Sequence, residues 1–132
     1  MKNRRLFGFT ALLGALLAVS HILKAQGSFQ AKAPDLTVLQ VVEVGTTAHV
    51  TVRNIGSANA TGTFMVRAFE WKNGAWWGAG YKWVNGLAVG TSTTVAISAP
   101  GIGALSNKYV VDSNDNINEA DETNNVRYVV GP

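Results

Sequence analysis

Two hydrophobic patterns divide the chain. Leu6 to Leu23 is a long, mainly apolar run of eighteen residues without a charge. After Pro34 no window repeats apolar residues at helical spacing over three turns. Apolar and polar positions alternate there instead, with β-branched and aromatic residues enriched, as in half-buried strands. Leu36-Thr37-Val38 leads into Val41 to Val44, and Gly45-Thr46-Thr47 reads as a turn. Ala48, Val50 and Val52 mark one face of a second strand, which ends at the turn-rich run Asn54 to Gly62. Thr63 to Lys72 and Ala75 to Val84 read as a hairpin around Asn73-Gly74, a strong type I′ turn signal. Asn85-Gly86 reads as another turn, and Thr91 to Ser98 alternates again. Lys108 to Asp112 and Val126 to Val130 are the last two strands. Seven short strands in about 95 residues predict an all-β, antiparallel, immunoglobulin-like β-sandwich. A small barrel is the alternative.

The apolar run stands in a targeting layout. Met1 to Arg5 is short and cationic, and Lys24-Ala25-Gln26 follows with a small residue at 25. A cationic start, an apolar core and a small residue before the junction describe a secretory signal peptide, the expected identity of residues 1–25. An uncleaved N-terminal anchor is the competitor, since eighteen residues is near the lower length for a span. Arg4-Arg5-Leu6-Phe7 also resembles a twin-arginine start, although Gly8 departs from it, so the general secretory route leads. Residues 26–34 read as a linker and 35–132 as the domain. The expected location is secreted, periplasmic or cell-surface, with no membrane contact after cleavage.

Charge changes meaning once this segment is set apart. The whole chain carries eleven bases against eight acids, a net charge of +3. Four of the bases and none of the acids lie in the first 25 residues. Seven bases then face eight acids, a net of −1, and the basic-partner argument for nucleic acid disappears. No cysteine is present, which excludes disulfides, thiolate nucleophiles and cysteine-ligated metals. The exported domain must hold itself by its core, and a length near 100 residues suffices.

Five of the eight carboxylates lie between Asp112 and Glu122, interleaved with asparagines. Residues 110–126 read V-V-D-S-N-D-N-I-N-E-A-D-E-T-N-N-V. The segment resembles the closing motif of the CARDB family, bacterial and archaeal adhesion-related domains. The matching positions are Val111, Asp112, Asn116, Ile117, Glu119, Glu122, Asn124 and Asn125. Weaker likenesses precede it in the right order: Pro34-Asp35-Leu36, Val52 to Gly56, and Gly86 to Gly90 with Thr93-Thr94-Val95. The resemblance covers about 35–130 and implies an immunoglobulin-like fold and a binding or adhesion role.

The bland reading of the acidic stretch is a long self-capping connection. Asn and Asp satisfy backbone N–H groups in turns. Ile117 would plug the end of the core, and Glu119 and Glu122 would share one side of a single helical turn. The sharper reading is a Ca²⁺ site, since calcium takes six to eight hard oxygens. Its candidates are Asp112, Asn114, Asn116, Glu119, Asp121 and Glu122. It is not an EF-hand loop, because the sixth and twelfth positions from Asp112 are Ile117 and Thr123. No other cofactor is indicated.

All four tryptophans lie between residues 71 and 83. If Phe64, Val66 and Ala68 face the core, alternation sends Phe69 and Trp71 outward, and Tyr81 and Trp83 can share their face. Trp76 and Trp77 sit beside the hairpin turn, one of them exposed. The bland reading is cross-strand packing that stiffens the hairpin. The functional reading is a contact surface of Phe69, Trp71, Trp76, Trp77, Tyr81 and Trp83 for a cell-envelope protein or an extracellular glycan. Catalysis finds no support. His49 is the one histidine after residue 25 and points to solvent by alternation. No nucleophile elbow is present, and one histidine is too few for a His-based zinc site. The expectation is a non-catalytic binding module: an adhesion contact first, a glycan-binding accessory module as the alternative.

Overall fold

A computed structural model describes residues 30–132; the signal-peptide reading falls on residues outside that range. Seven strands follow in order: β1 Leu36–Val44, β2 Thr47–Asn54, β3 Ala60–Lys72, β4 Ala75–Leu87, β5 Ser92–Ser98, β6 Asn107–Val111 and β7 Val126–Val129. They form two antiparallel sheets, β1-β2-β5 and β4-β3-β6-β7. Each strand places alternate residues inward, so Ala48, Val50 and Val52 of β2 meet Phe64, Val66 and Ala68 of β3 across one core. His49 points to solvent. The fold is the antiparallel β-sandwich that the alternation predicts.

The turns follow their residues. Asn73 and Gly74 both have positive φ, 53° and 77°, as a type I′ hairpin requires. Asn85-Gly86 departs from its reading as a turn. Both residues lie inside β4, where Ala60 pairs Leu87 and Thr63 pairs Asn85. Gly86, at φ 72°, absorbs a β-bulge between those pairs.

A second bulge decides where the aromatic side chains point. From the hairpin turn, Trp71 pairs Trp76 and Phe69 pairs Gly78. Continued without interruption, that register would set Tyr81 opposite inward Val66. The register instead shifts at Ala79, and Tyr81 pairs Arg67 while Trp83 pairs Met65. One extra residue turns both rings to the outside.

Buried polar groups tie the sheets and the chain start together. Tyr109 of β6 is fully buried and donates to Glu43 Oε1 of β1 at 2.6 Å. Burial pushes its phenol pKa far up, and the bond to Glu43 adds to the rise. Ala33 and Pro34, the end of the expected linker, are hydrogen-bonded onto the domain. The Ala33 carbonyl accepts from Ser57 and Ala58, and the Pro34 carbonyl from Ala120. Gly56 allows this approach, because a Cβ there would collide with the backbone of residues 33–35.

Candidate functional site

The acidic stretch forms the connection between β6 and β7. Asp112 adopts φ 51°, a left-handed conformation that Asp tolerates, and turns the chain out of β6. Its two oxygens accept from the backbone N–H groups of Asn116 and Ile117, at 3.0 and 2.9 Å. Ile117 is thereby held in the core, its Cδ1 against Gly62. Glu119 is buried and caps the start of β1. One oxygen accepts from the Leu36 N–H, and the other accepts from Asn125 Nδ2 at 2.7 Å. The exposed Glu122 accepts from the Glu119 N–H at 3.0 Å. No helical turn joins Glu119 and Glu122; the segment runs through bends, and this backbone-to-carboxylate bond brings the two together instead.

Of the six calcium candidates, the fold gathers three. Carboxylate oxygens of Asp112, Glu119 and Glu122 lie within 4.8 Å of one another. The other three are engaged elsewhere. Asn114 Oδ1 accepts from Met65 N, Asn116 Nδ2 donates to the Thr63 carbonyl, and Asp121 caps Thr123. Burial is the main force raising the pKa values of Asp112 and Glu119, the latter to about 7, and the neighbouring carboxylates add to it. The Asn125 side chain reaches both glutamates through Nδ2, and its Oδ1 is buried without a partner. Three clustered carboxylates fit one hard divalent cation.

The same cluster also fastens the N-terminal end of β1. Asn54, fully buried, accepts through Oδ1 from the Asp35 and Gly56 N–H groups and donates to the Ala58 and Leu87 carbonyls. Asn124 donates to Asp35 Oδ1 at 2.7 Å. The short motifs at residues 34–36, 52–56 and 119–125 therefore meet at one end of the sandwich. Their spacing along the chain carried no sign of that convergence.

The second candidate place is the outer face of the β4-β3-β6-β7 sheet. Trp71 and Trp76 meet edge to face at 5.1 Å, and Trp76 meets Tyr128 of β7 at 5.8 Å. Tyr81 and Trp83 pair at 6.3 Å. Trp71, Tyr81, Trp83 and Tyr128 remain 44–63% exposed, whereas Phe69 and Trp76 are half-buried. Trp77 does not belong to this face. It pairs Glu70 and so points to the opposite side of the sheet, with Nε1 donating to the Lys72 carbonyl. Hairpin pairing at Trp71/Trp76 forces its neighbour the other way. Tyr128 was missed by the sequence reading. Its signal was the alternation of Val126, Tyr128 and Val130, exposed residues in and just after the last strand.

Two sheets in this order, with β3 and β6 paired across a crossover, make the domain an immunoglobulin-like sandwich. A family model described as CARDB matches residues 33–129, and the chain belongs to the CARDB family, non-catalytic immunoglobulin-like modules of binding type. Among solved structures it is similar to a CARDB domain from Pyrococcus furiosus in complex with di-metal ions. That likeness has a TM-score of 0.56 at 24% identity, over 77% of this chain and 96% of that one. A solution structure of a Pyrococcus furiosus CARDB domain matches with a TM-score of 0.46 at 25% identity, over 76% and 96% of the two chains. No curated protein matches this chain.

Proposed function

We propose that this chain is a non-catalytic adhesion module of the cell envelope that meets its partner with the outer face of the β4-β3-β6-β7 sheet. One observation carries the reading: four large aromatic side chains stay about half exposed on a face that no described element covers. Isolated exposed apolar residues need no explanation, but a contiguous patch of this kind marks a contact surface. Rings pre-arranged by edge-to-face pairs lose little freedom when a partner docks. The partner is a macromolecule of the cell envelope, a protein or an extracellular glycan.

The acidic cluster favours a second role in the same molecule. Asp112, Glu119 and Glu122 hold a divalent cation, Ca²⁺ by the hardness of the donors, and the cation fastens the β6–β7 connection to the start of β1. The charge cluster and the di-metal complex of the Pyrococcus furiosus domain support it.

The docking reading is tested by capture from envelope extract with the full chain and its Trp71→Ala/Trp83→Ala double variant. The wild type retains a partner and the double variant loses it at unchanged melting temperature. Equal capture by both overturns the reading.

A further inference from the structure

The outer face of the four-stranded sheet has a one-sided charge. Its strand positions include two cations, Arg67 and Lys108, and no carboxylate; the other outward positions are apolar, aromatic, glycine or neutral polar residues. The acids stand elsewhere. Glu43 accepts from Tyr109, Glu70 lies against Gly101, Asp35 is bonded by Asn124, and five belong to the β6–β7 connection.

Both cations are held by rings. The Arg67 guanidinium lies 4.9 Å from the Phe69 ring centre, and Lys108 Nζ lies 4.9 Å from Phe69 and 5.1 Å from Trp76. Arg67 can lie this flat because Gly78 stands across from Phe69; a Cβ at 78 would collide with its Nη2. Its Nε is buried without a hydrogen-bond partner. A ring positions a cation without neutralising it. The face therefore presents two fixed positive charges, with no carboxylate among its strand positions, beside the exposed rings of Trp71, Tyr81, Trp83 and Tyr128.

We infer that this face binds an acidic polysaccharide, a polymer whose sugar rings stack on the tryptophans and tyrosines and whose uronate carboxylates pair with Arg67 and Lys108. The inference rests on the docking reading above and names its ligand class. Pyranose C–H faces stack on single exposed rings, which are inclined at 53–80° within their pairs and so take different sugars of one chain, and the uronate carboxylates meet the cations beside them. A protein occupant of the same face is an outcome of the capture test above. Single-stranded nucleic acid also stacks on aromatics, but it needs a cationic track along its phosphates, and two cations do not make one.

The test is affinity electrophoresis of the full chain in gels containing polygalacturonate, alginate or hyaluronan. Methyl-esterified polygalacturonate and a single-stranded DNA oligomer serve as controls. At least one uronate polymer retards the protein. Esterification, added salt, Arg67→Gln and Lys108→Gln each weaken retardation, the substitutions by about tenfold. Trp71→Ala abolishes it, and Lys82→Gln, on the opposite side of β4 beside Val66, leaves it intact. Equal retardation by the esterified polymer, with no effect of Lys108→Gln, overturns the acidic class but leaves the docking face standing. Retardation by none of the three polymers overturns the inference. If Trp71→Ala/Trp83→Ala still abolishes capture of an envelope partner, the docking reading survives that failure. Equal affinity for the DNA oligomer overturns the carbohydrate assignment.

Discussion

Glu119 is where the two ends of the domain meet. Its buried carboxylate holds the first N–H of β1 and the amide of Asn125, six residues further along the chain. Burial pushes its pKa from 4.5 to about 7; the bonds from Leu36 and Asn125 pull it down, and Glu122 and Asp112 add to the rise. The native state then binds more protons than the unfolded chain between those two values, so stability falls as pH rises through that window. The loss is up to about 3 kcal/mol. Asp112 is shifted in the same direction, again chiefly by burial. In EDTA, the melting temperature measured at pH 5 is therefore higher than at pH 8. Glu119→Gln, which keeps an acceptor for Leu36 and removes the charge, flattens that difference. A melting temperature that climbs from pH 5 to pH 8 in the wild type contradicts this account. The sequence made Glu119 legible as a hard oxygen donor. Its place under the start of β1 was not legible, because a separation of 83 positions from Leu36 carries no spacing rule.

At the scale of elements, the β3–β4 hairpin shows how little separates a buried ring from an exposed one. Alternation and the Asn73-Gly74 turn were readable, and they correctly set Phe69 and Trp71 opposite the core face of β3. The same alternation cannot place bulges, since one inserted residue leaves composition unchanged and reverses every later side chain. Gly78 and Gly80 were the available hint, as strand glycines often mark bulges or close approaches. Gly80 lies against Ile97 of the core and Gly78 against Arg67. The Asn85-Gly86 pair illustrates the converse error. A dipeptide with turn chemistry supplied the positive φ of a bulge inside a strand. Gly86→Ala places a Cβ 3.0 Å from the Ala60 carbonyl in a left-handed conformation. It costs about 1–2 kcal/mol, read as a lowered denaturation midpoint at unchanged slope. An unaltered midpoint removes the strain argument.

Across the whole molecule, the acidic end and the aromatic face are separate devices on one sandwich. A cation bound by the folded cluster and not by the unfolded chain stabilises by mass action, by about 2.7 kcal/mol at a hundredfold excess over its dissociation constant. Millimolar Ca²⁺ consequently raises the melting temperature by several degrees relative to EDTA at pH 8, and Asp112→Asn reduces the shift. Identical melting curves with and without calcium remove the metal reading. The sequence alone determined the strand count, the core face of β2 and β3, the Ile117 plug and the clustering of acids, because each rests on local periodicity or local composition. It also carried the family resemblance through short motifs in the right order. Only the tertiary structure decided which three of six oxygen-bearing residues converge. It alone turned Tyr81 and Trp83 outward and Trp77 away, and brought Tyr128 beside Trp76. Those outcomes depend on strand register and on sheet neighbours distant in sequence. Register is a cooperative property of paired strands and is written in no single one of them.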